Sequence, residues 1–308
     1  MSAGTGIAIV VSAVAAATPL VYAALGELVA ERAGVLNLGV EGMMLVGAIA
    51  GFAVGLSTGS LWLAYLAAAI AGSLVSLLFA FLTLSLQTNQ VATGLALTLF
   101  GVGLSAFVGR GFVGLPISRV PQLQIPVLTD LPLVGPLLFH YDLPEYLSIA
   151  LCAAVAWLLG RTRLGLRLRA IGESPDTAHE LGEPVLAVRY LAVLFGGAMS
   201  GIAGAYLSTA LTPMWVEGMS AGRGWIALAL VVFGTWKPWR ALGGAYLFGA
   251  VTVLQLYAQT LPFQVPSEFL SMLPYAVTIV VLVVICRDPK TILLNRPASL
   301  GRSFHAGS

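Results

Sequence analysis

The strongest constraint on this chain is a series of nine apolar stretches, most of them as long as a helix that crosses a lipid bilayer. The hydrocarbon core is about 30 Å thick, so a helix that crosses it needs about 20 apolar residues. Backbone groups find no water there, and a helix satisfies them internally. We therefore predict an all-α polytopic membrane bundle of about nine transmembrane helices (8–10), forming one domain over residues 1–308. The stretches are 7–26, 35–56, 61–85, 91–109, 144–160, 189–211, 223–236, 241–261 and 269–286.

Composition and missing motifs narrow the class of protein further. Only 9% of the residues are charged, against roughly 25% in soluble proteins. The formal net charge of +2 gives no reason to expect a nucleic-acid partner. The sequence lacks a phosphate-binding GxxxxGK[ST] loop, a GxSxG nucleophile motif and an HExxH metal pair. We therefore expect no catalytic site, metal or cofactor on this chain, and a transporter of this kind draws on an ion gradient or a separate ATPase.

The distribution of lysine and arginine predicts the orientation. Cytoplasmic connections of membrane proteins are enriched in these residues. Twelve of the 15, Arg189 among them, fall on one side of the predicted bundle, and Arg110, Arg119 and Arg223 fall on the other. With nine crossings, the C-terminus is inside and the N-terminus outside. The proline-rich connection 110–144 is then a periplasmic loop. Its apolar part, Leu131 to Phe139, is too short to cross and is expected to lie on the outer surface as a spacer or as a docking rim for a binding protein.

A charged cluster, residues 161–188, interrupts the apolar pattern on the predicted inner side. Ser174 and Pro175 are typical of a helix start, and Gly182 is typical of a helix end. A helix of roughly eight residues is unstable alone in water and packs against something else. The cluster therefore indicates either a helix that couples to a motor subunit or a solvated loop.

Polar residues near the second and fourth stretches are candidates for a solute path. Glu41 lies within an apolar run, where an ionisable group costs at least about 2.5 kcal/mol unless it is paired or wetted. Asn37 and Glu41 either line the path or lock helices by hydrogen bonds. Asn89, Thr93 and Thr98 are further candidates, with solvated helix ends or backbone hydrogen bonds as the alternatives.

Glycines and tryptophans indicate how the helices pack and where they end. Small residues allow close approach between membrane helices. Trp236 and Trp239, in the turn between the seventh and eighth stretches, are expected to be anchors at the membrane interface. The glycines expected to pack helices are Gly39, Gly42, Gly243, Gly244 and Gly249.

Three segments together resemble the nucleoside and simple-sugar permeases of ATP-binding-cassette (ABC) importers, within the ribose and branched-chain amino acid permease family. The segments are 31–47, Arg169–Ala178 with Gly182, and 227–249. One departure is the Gly-Glu-Pro sequence at 182–184, where Pro184 is expected to shorten or bend the coupling segment. The resemblance implies a vitamin-importer-type (type II) permease fold. It assigns ATPase coupling to Arg169, Gly172, Glu173, Pro175, Ala178, Glu180 and Gly182.

The same resemblance implies the partners and the substrate class. Two permeases, often non-identical, sit on two ATPase subunits that bind ATP and Mg²⁺, while a lipoprotein or periplasmic protein delivers the solute. We expect a multi-pass protein of a bacterial inner membrane that imports a nucleoside or a related simple sugar. The alternatives are a branched-chain amino acid or ribose permease, a gradient-driven carrier that uses Glu27 and Glu41, and a scaffolding protein without a solute path.

Overall fold

The structure, a computed structural model, describes residues 3–123, 135, 139–259, 266–286 and 295–305. Within these residues it is helical, and the extended pairings are isolated bridges. The predicted all-α class is therefore confirmed. The helices are α1 (Ala3–Arg32), α2 (Val40–Thr58), α3 (Leu61–Ala80), α4 (Gln90–Gly109), α5 (Leu143–Arg161), α6 (Arg163–Glu173), α7 (Pro175–Glu180), α8 (Val185–Tyr206), α9 (Arg223–Phe233), α10 (Pro238–Ala258) and α11 (Ser267–Cys286).

Seven helical segments in the described part of the chain are long and apolar enough to cross a membrane. The predicted fifth stretch, 144–160, is one of them, because helix α5 extends it by one residue at each end to 19 residues. The predicted ninth stretch lies in α11, which has 20 residues. The seven segments are Gly6–Arg32, Val40–Thr58, Leu61–Ser85, Gln90–Phe112, Leu143–Arg161, Val185–Leu211 and Pro238–Ala258.

The predicted seventh stretch, 223–236, folds as a half-length helix. Helix α9 has 11 residues, about 16 Å at 1.5 Å per residue. Before it, the segment 212–222 is irregular, and its start pairs with the outer connection through the bridge between Met214 and Pro116. At the other end of the segment, just after α9, Trp236 lies against the end of α1. The segment 212–236 therefore runs from one end of the bundle to the other, first as irregular chain and then as helix.

Helix α1 occupies the middle of the bundle, packed against α5, α8, α9 and α10. Helix α8 packs closely against α1, α2 and α3 because its glycines remove side chains from the contacts. A Cβ atom on Gly204 would lie 1.9 Å from the Met44 carbonyl oxygen, and one on Gly201 would lie 2.0 Å from that of Ala68. These two glycines were not among those predicted to pack helices.

The glycines that were expected to pack helices differ in their surroundings. A Cβ atom on Gly42 would lie 2.7 Å from the Leu97 carbonyl oxygen, and one on Gly249 would lie 2.4 Å from that of Ala13. Gly244 faces Leu230 of α9, and Gly39 faces the Asn37 side chain. Gly243 is exposed and has no described atom within 4 Å of the position that its Cβ would take. Gly243 therefore contributes no close helix contact among the described residues.

The predicted periplasmic loop is described only at its two ends. Ile117 N donates to Pro213 O at 3.1 Å, and Leu123 N donates to Tyr141 O at 3.1 Å. The first hydrogen bond ties the loop to the segment that follows α8, and the second joins the two arms of the loop to each other. Most of the expected surface cap, Leu131 to Phe139, lies outside the described residues. The domain limits, and the periplasmic position of this loop, remain predictions.

Candidate functional site: a coupling segment and the polar junction beneath it

The coupling segment, residues 161–188, folds as two short helices rather than one. Helix α6 starts at a cap in which Gly165 N donates to the Thr162 hydroxyl at 3.0 Å. Its apolar face is buried through Leu168 and Ile171, while its arginines are exposed. Helix α6 was not predicted from the sequence. The available signal was the spacing of Gly165, Leu168 and Gly172, which lie three or four residues apart on one face of a helix.

Helix α7 is the predicted short helix, shortened to six residues. The Ser174 hydroxyl accepts from Thr177 N, and Pro175 occupies the first turn. At the other end Gly182 has a φ of 83°. Gly182 N donates to His179 O at 2.9 Å and Glu183 N to Ala178 O at 3.0 Å. This pair of hydrogen bonds is a Schellman motif, which ends a helix at a left-handed glycine.

Pro184, the departure from the family pattern, lies after this helix end and directly before α8. It neither shortens nor bends α7, because the helix has already ended at Glu180. Glu183, beside it, pairs with Arg167 of α6 at 3.0 Å. The pair links α6 to the turn between α7 and α8, and the Glu183 and Arg167 side chains are 27% and 49% exposed. An ion pair this exposed contributes less than about 1 kcal/mol.

The residues assigned to ATPase coupling divide into an exposed set and a buried set. Arg169, Glu173, Glu180 and Gly182 are exposed and available to a partner, whereas Pro175 and Ala178 are buried beneath α7. Gly172 is also buried, because the end of α6 touches the end of α1. A Cβ atom on Gly172 would lie 2.1 Å from the Arg32 carbonyl oxygen. The buried set therefore seats the coupling segment on the bundle, while the exposed set forms its outer surface.

Buried Glu31 and half-buried Arg32 lie at the end of α1, directly beneath the coupling segment. Trp236 Nε1 donates to a Glu31 carboxylate oxygen at 2.6 Å, and Arg32 donates to the Trp236 carbonyl oxygen at 2.9 Å. The expectation that Trp236 is an interfacial anchor is wrong: its side chain is 2% exposed and holds the end of α9 against α1. Trp239 is 55% exposed, as an anchor would be. A buried indole needs an acceptor, and Glu31 provides it.

The turn between α1 and α2 is held by Asn37 and Glu27. Asn37 N donates to a Glu27 carboxylate oxygen at 2.9 Å, and Gly39 N donates to the Asn37 side-chain oxygen at 2.9 Å. The Asn37 amide nitrogen contacts the Met43 sulfur at 3.5 Å. Because its contacts tie the turn to Glu27 of α1 and to Met43 of α2, Asn37 fits the expected helix lock better than a solute contact.

Glu41 joins the start of α2 to the start of the half-length helix α9. Its carboxylate accepts from the Ser220 hydroxyl at 2.5 Å, from Gly222 N at 2.8 Å and from Gly224 N at 2.6 Å. The first N–H groups of a helix have no partner within the helix, and they favour negative charge. Glu41 therefore caps α9 from a distant part of the sequence. We call this contact the polar junction.

The other solute-path candidates lie on α4. Thr98 Oγ1 donates to Leu38 O at 2.9 Å, which places Thr98 close to the polar junction. Asn89 caps α4 by accepting from Ala92 N at 3.0 Å, and Thr93 contacts the Thr88 hydroxyl at 2.8 Å. The structure therefore brings Asn37, Glu41 and Thr98 together around the start of α2. Asn89 and Thr93 remain at the first turn of α4.

A cavity of about 230 Å³ opens between α1, α9, α10 and α11 beside the polar junction. Its polar lining consists of Arg223, Thr252 and Gln255. Arg223 was expected in an outer connection, but it begins α9 and so lies a half-span, about 16 Å, from the inner end of that helix. An arginine at this depth in a membrane bundle is by default a candidate functional residue. The sequence feature that could have identified Arg223 as a candidate is its position within two residues of an apolar run.

Comparison with known proteins identifies the class of membrane protein. Residues 9–282 match a family model described as "Branched-chain amino acid transport system / permease component". The chain is 44% identical to the "Putative glucose ABC transporter permease protein TsgC13" of Haloferax volcanii, with 95% of each chain covered. It is 34% identical to the "Nucleoside ABC transporter permease protein NupC" of Lactococcus lactis and to the "Guanosine ABC transporter permease protein NupQ" of Bacillus subtilis, covering 86% of this chain and 88% of each relative.

The membrane-spanning architecture and the absence of a nucleotide-binding motif agree with that family. In such transporters the permease holds no cofactor, ATP is hydrolysed by a separate subunit, and a binding protein supplies the solute. The chain belongs to the branched-chain amino acid transport system permease family: it is the multi-pass membrane permease of an ABC importer.

Proposed function

We propose that this permease moves a nucleoside or a related simple sugar inward by alternating access, driven by ATPase subunits that bind the coupling segment. One observation carries the proposal. Helix α7 is capped at both ends, seated on the bundle by buried Pro175 and Ala178, and exposed on its outer face at Glu180. A six-residue helix has no independent stability, so its ordered position provides a preformed contact for a partner.

The path of the chain supports nine crossings with an outer N-terminus and an inner C-terminus. Seven helical segments have the length and hydropathy of full crossings. The segment 212–236 adds a broken crossing, and α11, with 20 residues, adds another. Lys237 and Arg240 follow the broken crossing, beside the end of α1 that the coupling segment also contacts. The excess of basic residues at this end favours a cytoplasmic position for it.

The proposed substrate rests on the sequence of one motif and on the solutes for which the relatives are named. The run Asn37 to Met44 resembles nucleoside permeases, and two relatives at 34% identity are named for a nucleoside or guanosine. The relative at 44% identity is named for glucose, which makes a free monosaccharide the second candidate. Both candidates present hydroxyl groups for hydrogen bonding. Ribose and branched-chain amino acids remain the competitors within the family.

The proposed assembly has two permeases, two ATPase sites that bind ATP and Mg²⁺, and a solute-binding lipoprotein or periplasmic protein, in a bacterial inner membrane. Large apolar side chains on α3 and α4 support a second permease or lipid as neighbours. Trp62, Leu99 and Phe107 are each more than 70% exposed. In water such a surface would be unfavourable, so lipid or another apolar helix covers it.

Reconstitution of the transporter with its ATPases and binding protein tests the proposal. Solute-stimulated ATP hydrolysis and uptake are measured with guanosine, glucose, ribose and leucine. We expect guanosine or glucose to stimulate both, and ribose and leucine to stimulate neither. An ATP-independent uptake that an uncoupler abolishes would instead establish a gradient-driven carrier.

The coupling role of the segment is tested in the same assay by Glu173→Ala and Gly182→Val. Valine disfavours the left-handed backbone at position 182, and alanine removes an exposed carboxylate at the end of α6. We expect normal assembly but several-fold less uptake per ATP hydrolysed. The control is Glu217→Ala, which removes an exposed carboxylate from the irregular segment 212–222. Normal uptake in both coupling variants would contradict the assignment.

A further inference from the structure

The C-terminal segment, residues 295–305, folds back between the coupling segment and the bundle. Gly301 N donates to Gly34 O at 3.2 Å, in the turn between α1 and α2. Arg32 donates to Asn295 O at 3.2 Å. The segment therefore touches the end of α1 as well as the turn that leads to Asn37. It also touches the coupling segment, through Ser299.

Ser299 is 4% exposed and completes the end of α6. Its backbone N–H donates to Gly172 O at 2.9 Å, and its hydroxyl contacts the same oxygen at 2.7 Å. Carbonyl groups in the last turn of a helix lack partners within the helix. Ser299 supplies that partner from a part of the sequence 127 residues away.

Arg189, on the first turns of α8, holds Ser299 from the other side. Its side chain is fully buried, and its three nitrogens donate to Ala33 O at 3.0 Å, Arg302 O at 3.3 Å and the Ser299 hydroxyl at 3.1 Å. All three acceptors are neutral. A buried guanidinium is tolerated only when its donors are satisfied, so Arg189 requires both the C-terminal segment and the α1–α2 turn in place.

Phe304 fixes the far end of the segment beneath α7. It is 6% exposed and packs with Ile171, Ala178 and Val185. Its ring meets the His179 ring edge to face, with centroids 5.5 Å apart. The C-terminal segment thus contacts both helices of the coupling segment, one through hydrogen bonds and the other through an apolar contact.

From these contacts we infer that the C-terminal segment is a brace that transmits movement of the coupling segment to the α1–α2 turn. Ser299 and Arg189 are its positioning residues. The inference rests on the proposed function of the coupling segment. Movement of α6 displaces Ser299, and the hydrogen bonds to Arg189 and Gly34 carry that displacement to the turn that holds Asn37. From there α2 leads to Glu41 and the polar junction. Coupling of this kind requires a contiguous set of contacts that differ between two states.

The test compares Ser299→Ala with Ser303→Ala in the complete reconstituted transporter. Both remove one hydroxyl, but Ser303 is exposed and has no hydrogen bond from its side chain among the described residues. We expect Ser299→Ala to lower solute transported per ATP hydrolysed on the order of tenfold, because removing one partner leaves buried groups unsatisfied. Basal ATP hydrolysis and assembly are expected to stay normal in both variants. The solute transported per ATP hydrolysed is expected to stay normal in Ser303→Ala.

Phe304→Ala is the second variant, and it decides the matter if Ser299→Ala fails to assemble. It loosens the brace without removing a hydrogen bond, and it also lowers the transport ratio. If Ser299→Ala assembles and transports a normal amount of solute per ATP hydrolysed, the inference is overturned. If Ser299→Ala does not assemble, a normal value in Phe304→Ala overturns it. Either result leaves the proposed function intact. A wild-type complex without solute-stimulated ATP hydrolysis refutes the proposed function and the inference together.

Discussion

Replacing Glu41 by alanine is the sharpest structural perturbation of the polar junction. The carboxylate accepts from Ser220, Gly222 and Gly224, and Gly224 is buried. Alanine leaves the two backbone N–H groups at the start of α9 without this acceptor. The serine hydroxyl can rotate to another partner, but the two amides are fixed by the helix geometry.

The magnitude follows from those two amides. Leaving a buried donor unsatisfied costs about 1–3 kcal/mol, and losing a negative charge at a helix start adds about 0.3–1 kcal/mol. Gly222 is only partly buried and recovers some hydration. We therefore expect α9 to open at its first turn more easily by about 3 kcal/mol, a factor on the order of a hundred in the opening equilibrium.

Amide hydrogen exchange of the detergent-solubilised protein measures this opening directly. Peptides that cover residues 218–228 are expected to exchange about a hundredfold faster in Glu41→Ala than in the wild type. Peptides from α3 are expected to exchange normally. The matched control is Glu217→Ala, whose exposed carboxylate lies four residues before Ala221. Equal protection of 218–228 in Glu41→Ala and Glu217→Ala would refute the claim that Glu41 holds the broken crossing together.

Two further predictions concern helix packing, both measured as thermal stability in detergent. Gly249→Ala is destabilising by about 1–3 kcal/mol through overpacking against α1, whereas Gly243→Ala is neutral or slightly stabilising; equal effects would contradict the packing described for α10. Trp236→Phe costs about 1–3 kcal/mol because Glu31 loses its buried donor, while Trp239→Phe changes stability by less than about 0.5 kcal/mol. A larger loss in Trp239→Phe would show that the exposed ring, and not the buried one, holds this turn.

The membrane class, the positions of most crossings and the short helix α7 were accessible from the sequence because their signals are local. Apolar length predicts a crossing, and Ser174, Pro175 and Gly182 mark the limits of α7 within nine residues. The polar residues around α2 were also found, since Glu41 is conspicuous in an apolar run. Their partners were not, because Ser220 lies 179 residues away along the chain.

The features that were missed depend on which face of a helix meets a neighbour. Gly243 and Gly249 have similar sequence surroundings, yet within the described part of the chain only Gly249 of the two lies against another helix. Arg189 counts toward the positive inner side, but charge counting does not reveal that its side chain is buried under the C-terminal segment. Trp236 was assigned to the membrane interface because its partner, Glu31, is 205 residues away along the chain and no local pattern reveals the contact.

Cross-linking from α7 tests the central claim, that the coupling segment is the contact for the ATPase. In a background without Cys152 and Cys286, Glu180→Cys and Ser118→Cys place single thiols at exposed positions on the coupling segment and on the outer connection. In the assembled transporter, the thiol at position 180 is expected to cross-link to the ATPase subunit and the one at position 118 is not. An ATPase cross-link from position 118, with none from position 180, would contradict the account.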